Sequence, residues 1–198
     1  MMMKPSSLRI VGGSLKGRTI PVFPGLSIRP TSQKAREALF GIIGEKIIRA
    51  TVADLFSGTG AIGIEALSRG AARVAFVDKN PTHLSRLSQA LIRLNLVPQS
   101  ITLTADIYLA IQNQNLLGWR PFDVLFLDPP YQFPDINKVL VSLEAARLLA
   151  PSGLVIYEHF HKTVPPDSVG HWSQFRRARY GDTVFTFYEL MSESTDTP

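Results

Sequence analysis

The chain has 198 residues, enough for one well-buried domain with a short appendage, and a net charge of +5. It contains no cysteine, which excludes disulfides, thiolate metal sites and cysteine nucleophiles. The four histidines include only one close pair, so no zinc site is expected. No apolar run has membrane-spanning length and the N-terminus lacks a signal-peptide core, so we expect a cytoplasmic protein.

Positive charge is concentrated in the first 40 residues. They carry a net +6, so the rest of the chain sums to −1. This is the pattern of an N-terminal arm that meets phosphate, although an ordinary solvated surface is the alternative. The basic residues are Lys4, Arg9, Lys16, Arg18, Arg29, Lys34 and Arg36.

The N-terminal residues predict a small β-hairpin. Residues 8–13 and 17–22 alternate around a short turn that is flanked by glycines. Lys16 and Arg18 would stand at the tip, where they could reach a backbone phosphate.

A proline-rich loop over 21–30 then leads to a helix that Thr31 or Ser32 can cap. Lys34 and Arg36 lie in its first turns, where the helix dipole disfavours cations. This small cost hints that the two charges serve a ligand.

From residue 51 onward, strands and helices alternate. We predict strands at 52–56, 73–78, 100–104, 122–127 and 154–157, with helices at 61–69, 81–94, 106–112 and 135–149. Residues 174–180 and 183–190 form a hairpin around Gly181-Asp182. The pattern predicts a doubly wound α/β fold: a mainly parallel, seven-stranded sheet with an antiparallel C-terminal hairpin, plus the small N-terminal β-hairpin.

The first strand-to-helix turn has the sequence Asp54-Leu55-Phe56-Ser57-Gly58-Thr59-Gly60. Its glycines let the backbone approach a ligand closely. Gly58, Gly60 and Gly63 also fit the dinucleotide-binding pattern, which leaves an NAD-linked oxidoreductase open. Asp54 favours the other interpretation, because a carboxylate there would repel a pyrophosphate but suits the ammonium group of S-adenosylmethionine.

Two further acids follow the next two predicted strands. Asp78 can bind both hydroxyls of a ribose, and Asp106 can reach an adenine amine. Asp106 can equally be an ordinary helix N-cap.

Asp128-Pro129-Pro130-Tyr131 follows a strand that is apolar enough to be buried on both faces. The prolines end the strand, so the acid and the ring are held at the edge where ligands of such sheets bind. A carboxylate, a proline carbonyl and a flat ring suit a planar base with an exocyclic amine. The alternative is a plain Pro-Pro turn with a surface tyrosine.

These motifs resemble those of class I S-adenosylmethionine-dependent amino-methyltransferases. Further segments are similar to the RsmD-type 16S ribosomal RNA guanine-N2 methyltransferases: Arg9-Ile10-Val11-Gly12-Gly13, Gly17-Arg18, Arg29-Pro30-Thr31 and Arg36-Glu37-Ala38-Leu39-Phe40. The resemblance covers residues 8–190. It departs at Gln33, where the family more often has an aspartate.

The resemblance implies a role for each motif. The residues that would contact the cofactor are Asp54, Phe56, Gly58, Gly60, Asp78 and Asp106. The residues that would bind the target guanine are Asp128, Pro129, Pro130 and Tyr131. RNA contacts fall to the hairpin and its following segment, namely Arg9, Lys16, Arg18, Arg29 and Thr31, to which we add Lys34 and Arg36. The expected partner is 16S ribosomal RNA or the assembling small subunit.

We therefore expect a monomeric rRNA methyltransferase that uses no metal. Residues 1–30 would form the RNA-contacting segment, 31–190 the methyltransferase domain and 191–198 a flexible tail. A DNA adenine-N6 or cytosine-N4 methyltransferase and a catalytically silent RNA-binding protein remain alternatives.

Overall fold

The computed structural model describes residues 6–22, 31–130, 133 and 135–191. Within these residues the strands are β1 (Ser6–Arg9), β2 (Thr19–Val22), β3 (Thr51–Asp54), β4 (Arg73–Asp78), β5 (Ser100–Thr104), β6 (Phe122–Leu127), β7 (Leu149–Phe160), β8 (Ser168–Val169), β9 (Trp172–Tyr180) and β10 (Thr183–Leu190). The α-helices are α1 (Gln33–Ile43), α2 (Ala61–Ser68), α3 (Pro81–Leu94), α4 (Ile107–Ile111), α5 (Gln114–Leu117) and α6 (Ile136–Ala145).

The main sheet has the strand order β5-β4-β3-β6-β7-β10-β9-β8. Strands β3 to β7 pair in parallel, whereas β10, β9 and β8 pair antiparallel. The predicted fold class is confirmed, but the described sheet has eight strands because the two-residue β8 adds to β9. Chain order reverses between β3 and β6, and such reversal points are where open α/β sheets bind ligands.

Helices cover both faces of the sheet. On one face α1, α2, α3 and the N-terminal hairpin share a buried apolar cluster, and on the other α4, α5 and α6 share a second. Burial on both faces explains why the inner parallel strands β3, β4 and β6 are rich in apolar residues, whereas the edge strand β5 alternates with threonines. Among the described residues, no helix is long and apolar enough to cross a membrane.

Strand β7 begins earlier than predicted. Pro151-Ser152-Gly153, expected to end the preceding helix, lies inside β7, and α6 ends at Ala145. The pairing of β7 with β6 shifts from Phe122↔Leu149 to Val124↔Leu154. The proline and glycine therefore fall in a bulge, where the hydrogen bonds of a regular ladder are not required.

The N-terminal hairpin is anchored to α2 and is not a detached arm. Glu65, fully buried in that helix, accepts the backbone N–H of Val11 at 2.9 Å. The Ser68 carbonyl and hydroxyl accept the backbone N–H groups of Ser14 and Leu15 at 2.7 and 3.0 Å. The hairpin therefore packs on the same core as α2, and the division of roles at residue 30 stays a prediction.

Candidate active site

Four carboxylates lie at or near the carboxyl ends of four neighbouring strands, and each follows residues that share one face of the sheet. Side chains of a strand alternate between its faces, so a residue shares a face with the residue two positions earlier. The residue two positions before each acid packs in the cluster with α1, α2 and α3. In sheet order, from β4 to β7, the acids are Asp78, Asp54, Asp128 and Glu158.

These charges influence one another. Burial raises the pKa of Asp54 to about 7; the Gly63 N–H opposes this shift, and the charges of Asp128 and Asp78 add to it. Burial raises the pKa of Asp128 well above its usual range, and the charge of Glu158 raises it further. Such a row favours a cationic ligand, because a positive charge relieves both the desolvation cost and the mutual repulsion.

Asp54 lies next to the glycine turn that is predicted to bind the cofactor. Its side chain is buried, and Oδ2 accepts the Gly63 N–H at 3.1 Å. Gly58 and Gly60 have φ of 49° and 74°, a backbone region that side chains disfavour. A Cβ on Gly60 would also overlap the side chain of Leu87. The glycines are therefore needed for both the turn and its packing against α3.

Asp78 uses both carboxylate oxygens to hold the neighbouring turns. Oδ2 accepts the Gly58 N–H at 2.8 Å and contacts His83 Nδ1 at 3.2 Å, while Oδ1 accepts the Asn80 N–H at 2.8 Å. Each oxygen has two lone pairs, so these bonds leave limited acceptor capacity for a ribose. His83 is a neighbour of this site that sequence reasoning did not single out.

Asp106 is exposed and caps α4. Its Oδ1 accepts the Tyr108 N–H at 3.0 Å, as the N-cap alternative predicted. The bond involves one oxygen only, so a contact with an adenine amine stays a prediction.

The Asp-Pro-Pro segment lies beside the cofactor turn. The Leu55 N–H donates to the Phe126 carbonyl at 3.0 Å, which fixes the end of β3 against the end of β6. Beyond the prolines, the ring of Phe133 meets the ring of Phe56 edge-on, with centroids 5.4 Å apart. Asp128 is partly buried, Pro129 is buried and Pro130 is exposed, whereas Tyr131 lies outside the described residues.

The basic residues proposed to contact RNA divide into two groups. Arg9, Lys16, Arg18 and Lys34 are exposed, and Arg29 lies outside the described residues. Arg36 is 1% exposed; its Nη1 lies 3.3 Å from Glu65 Oε2 and its Nη2 donates to the Arg9 carbonyl at 2.8 Å. A phosphate cannot reach a guanidinium buried in this way, so the expectation for Arg36 is wrong.

The expectation for Thr31 is also wrong. Thr31 is buried, and its Oγ1 donates to Glu158 Oε2 at 2.7 Å. Glu158 itself was missed by sequence reasoning, which ended the strand at Tyr157. The signal was an acid directly after the predicted apolar run 154–157, the same kind of signal that singled out Asp128.

Comparison with known proteins places the chain in a family. The family model described as "Conserved hypothetical protein 95" matches residues 8–189. The chain belongs to this family. Relatives of this chain are named ribosomal RNA small subunit methyltransferase D, so the resemblance to the RsmD-type family is confirmed.

The chain spans nearly the full length of its relatives. Ribosomal RNA small subunit methyltransferase D of Escherichia coli (strain K12) is 31% identical over 198 residues, covering 95% of each chain. The protein of that name from Haemophilus influenzae is 30% identical over 186 residues, covering 92% of this chain and 93% of the relative.

Solved structures agree with the family. The yhhF protein of Escherichia coli superposes with a TM-score of 0.82 at 28% identity, covering 95% of this chain and 100% of that one. An RNA methyltransferase from Salinibacter ruber, solved with S-adenosyl-L-homocysteine, gives 0.62 at 18% identity, covering 85% and 98%. The latter likeness shows that the fold is shared.

The described residues fit the cofactor of such enzymes. S-adenosylmethionine carries an ammonium and a sulfonium, and the carboxylate row of β4, β3 and β6 offers the opposite charge to both. Gly58 and Gly60 carry no side chain, so a ligand can approach the backbone of their turn close to Asp54. Within the part of the chain described, no three or more His, Asp or Glu side chains have the arrangement of a metal site.

Proposed function

We propose that the protein is an S-adenosylmethionine-dependent methyltransferase that methylates the exocyclic N2 amine of a guanine in small-subunit (16S) ribosomal RNA. The observation that carries this proposal is the proximity of Asp54 and Asp128 at the reversal point between β3 and β6, where the charge of Asp128 adds to the rise in the pKa of Asp54. The space above the ends of β3 and β6 forms the proposed substrate crevice. Asp54 would serve its cofactor side, and Asp128 would bind the target base.

On the cofactor side, Asp54 would hold the ammonium of the methionine moiety. Gly58 and Gly60 would admit its backbone, while Asp78 and Asp106 would bind ribose and adenine. Phe56 would pack against the cofactor, its ring already fixed by Phe133. The bound cofactor supplies an electrophilic methyl group.

On the base side, the amine is a poor nucleophile because its lone pair is delocalised into the ring. Asp128 and the Pro129 carbonyl would accept its two N–H groups, which aims the lone pair at the methyl group. A raised pKa makes Asp128 a better proton acceptor near neutral pH, and a bound cation favours its ionised form. Tyr131 would fix the base by stacking on its face.

On the RNA side, the exposed basic residues Arg9, Lys16, Arg18 and Lys34, together with Arg29, would contact phosphates around the target. A guanine inside a stem or loop must be splayed out before it can enter the crevice. We propose that the protein acts in the cytoplasm as a monomer and without a metal.

Transfer of tritium from labelled S-adenosylmethionine to undermodified small-subunit RNA tests the proposal. Both naked 16S RNA and small subunits should be offered, with DNA as a competing acceptor. The wild-type protein should label the ribosomal RNA, and Asp128→Ala should abolish labelling while cofactor affinity stays within about threefold. Labelling of DNA alone, or full activity of Asp128→Ala, would contradict the proposal.

A further inference from the structure

Glu158 has a position next to Asp128 that the proposed function leaves unused. Leu127 of β6 pairs with Tyr157 of β7, so Asp128 and Glu158 follow the same rung on adjacent strands. Adjacent strands are about 4.8 Å apart. Glu158 comes two positions after Ile156, so it shares with it the face of β7 that packs in the cluster of α1, α2 and α3, and its charge acts on Asp128. The two carboxylates therefore border the same part of the crevice.

Among the described residues, no cation compensates the charge of Glu158. The residue is 7% exposed, and in the described residues Lys, Arg and His side chains make no ion pair with it. Its described hydrogen bond joins Oε2 to the Thr31 hydroxyl at 2.7 Å. With this one neutral donor among the described residues, the buried carboxylate is costly, and a further N–H donor from a ligand would offset that cost.

The protonation of Glu158 fits such a role. Burial raises its pKa to about 7, the Thr31 hydroxyl opposes this rise, and the charge of Asp54 adds to it. A nearby cation and an N–H donor both favour the carboxylate. Glu158 is therefore ready to become an acceptor when cofactor and base are bound.

We propose that Glu158 accepts the N1–H of the target guanine and thereby selects guanine over other amine-bearing bases. This inference rests on the proposed function. Guanine presents its N1–H directly beside the N2 amine, so neighbouring acceptors on β6 and β7 match neighbouring donors on the base edge. Thr31 is the positioning residue that holds the carboxylate in place.

The same geometry rejects adenine and cytosine. In both bases the atom beside the exocyclic amine is a ring nitrogen with a lone pair, which would face the lone pairs of Glu158. A site built around a donor rejects an analogue without that donor by as much as about 10⁴-fold. Glu158 would thus separate this protein from enzymes that methylate adenine N6 or cytosine N4.

The test compares guanine with 2-aminopurine at the mapped target position of the RNA, in whichever form the wild-type protein methylates. 2-Aminopurine keeps the N2 amine but has an acceptor at N1. Wild-type kcat/KM should favour guanine by about 100-fold or more. Glu158→Gln, whose amide can donate to N1, should lower this preference at least about tenfold. Loss of the guanine O6 affects both proteins equally and cancels in the comparison.

Control variants separate base selection from a structural role. Glu189→Gln, the same change at an exposed residue of β10, should leave the preference unchanged. Thr31→Val removes the hydroxyl and should weaken the preference, while Thr31→Ser should keep it; these variants carry the test if Glu158→Gln does not fold. An unchanged preference in both Glu158→Gln and Thr31→Val would overturn the inference. Failure of the wild-type protein to methylate guanine N2 would instead overturn the proposed function.

Discussion

The buried cluster beneath the N-terminal hairpin makes a quantitative prediction. Glu65 is fully buried and accepts three donors: the Val11 N–H at 2.9 Å, Arg36 Nη1 at 3.3 Å and Arg69 Nε at 2.8 Å. Glu65→Ala leaves the Arg36 guanidinium, 1% exposed, without a counter-charge. Breaking a buried pair in this way costs about 3–5 kcal/mol. The Val11 N–H loses its acceptor as well, which adds about 1–3 kcal/mol if water cannot reach it.

We therefore expect Glu65→Ala to lower the free energy of unfolding by about 4 kcal/mol or more, and Tm by about 10 °C. Glu65→Gln keeps an acceptor for Val11 but loses the charge, so its loss should be smaller. The control is Lys138→Ala, because the Lys138 side chain is 75% exposed and 3.7 Å from Asp135. That variant should lose less than about 1 kcal/mol.

Urea-induced unfolding, extrapolated to zero denaturant, measures these differences. If Glu65→Ala were as stable as Lys138→Ala, the hairpin would not be held by this cluster. The description of residues 6–22 as part of the catalytic domain's core would then be wrong.

Three further predictions concern cofactor binding, the stability of the glycine turn and RNA binding. The pKa of Asp54 is raised to about 7 in the free protein and a bound cation lowers it, so cofactor binding should release protons below about pH 7. The affinity for the cofactor should then rise with pH up to about pH 7. Calorimetry should show that this affinity depends less on pH in Asp54→Asn; an equal pH dependence in the two proteins would contradict a contact between Asp54 and the cofactor. Gly60→Ala, with its φ of 74° and an overlap with Leu87, should cost more than about 1 kcal/mol of stability. Gly41→Ala on the exposed side of α1, where a Cβ meets nothing, should instead gain about 0.5–1 kcal/mol in thermal unfolding. Lys16→Ala should reduce the salt dependence of RNA binding by about one phosphate contact without changing cofactor affinity. Lys138→Ala, on the opposite face of the sheet, should leave the salt dependence of RNA binding unchanged. Equal effects of the two variants would exclude the hairpin as the RNA contact.

Local patterns predicted much of the fold. The strand and helix bounds of Arg73–Asp78, Pro81–Leu94, Ser100–Thr104 and Phe122–Leu127 match the prediction, because each apolar run is bordered by turn residues or a cap. Strand β7 did not follow the pattern, since Pro151 and Gly153 are tolerated in a bulge. The short helix α5 was missed, because four residues carry no helical period.

The sequence predicted those site residues whose position depends on the end of a single strand. Asp54, Asp78 and Asp128 each follow an apolar run, and parallel strands bring such ends to one edge. Glu158 and Thr31 could not be paired from sequence, because their contact joins residues 127 positions apart. Arg36 was misassigned for a similar reason: its partner Glu65 is 29 positions away, and charge alone does not reveal burial.

The proposed reaction transfers a methyl group to guanine N2 in small-subunit RNA. The most direct measurement is mass spectrometry of nucleosides from undermodified 16S ribosomal RNA, treated with the protein and S-adenosylmethionine as naked RNA and as small subunits. We expect N2-methylguanosine at one position, present with the wild-type protein and missing with Asp128→Ala. N6-methyladenosine or N4-methylcytidine in its place, or no new methylated nucleoside in either substrate, would contradict it.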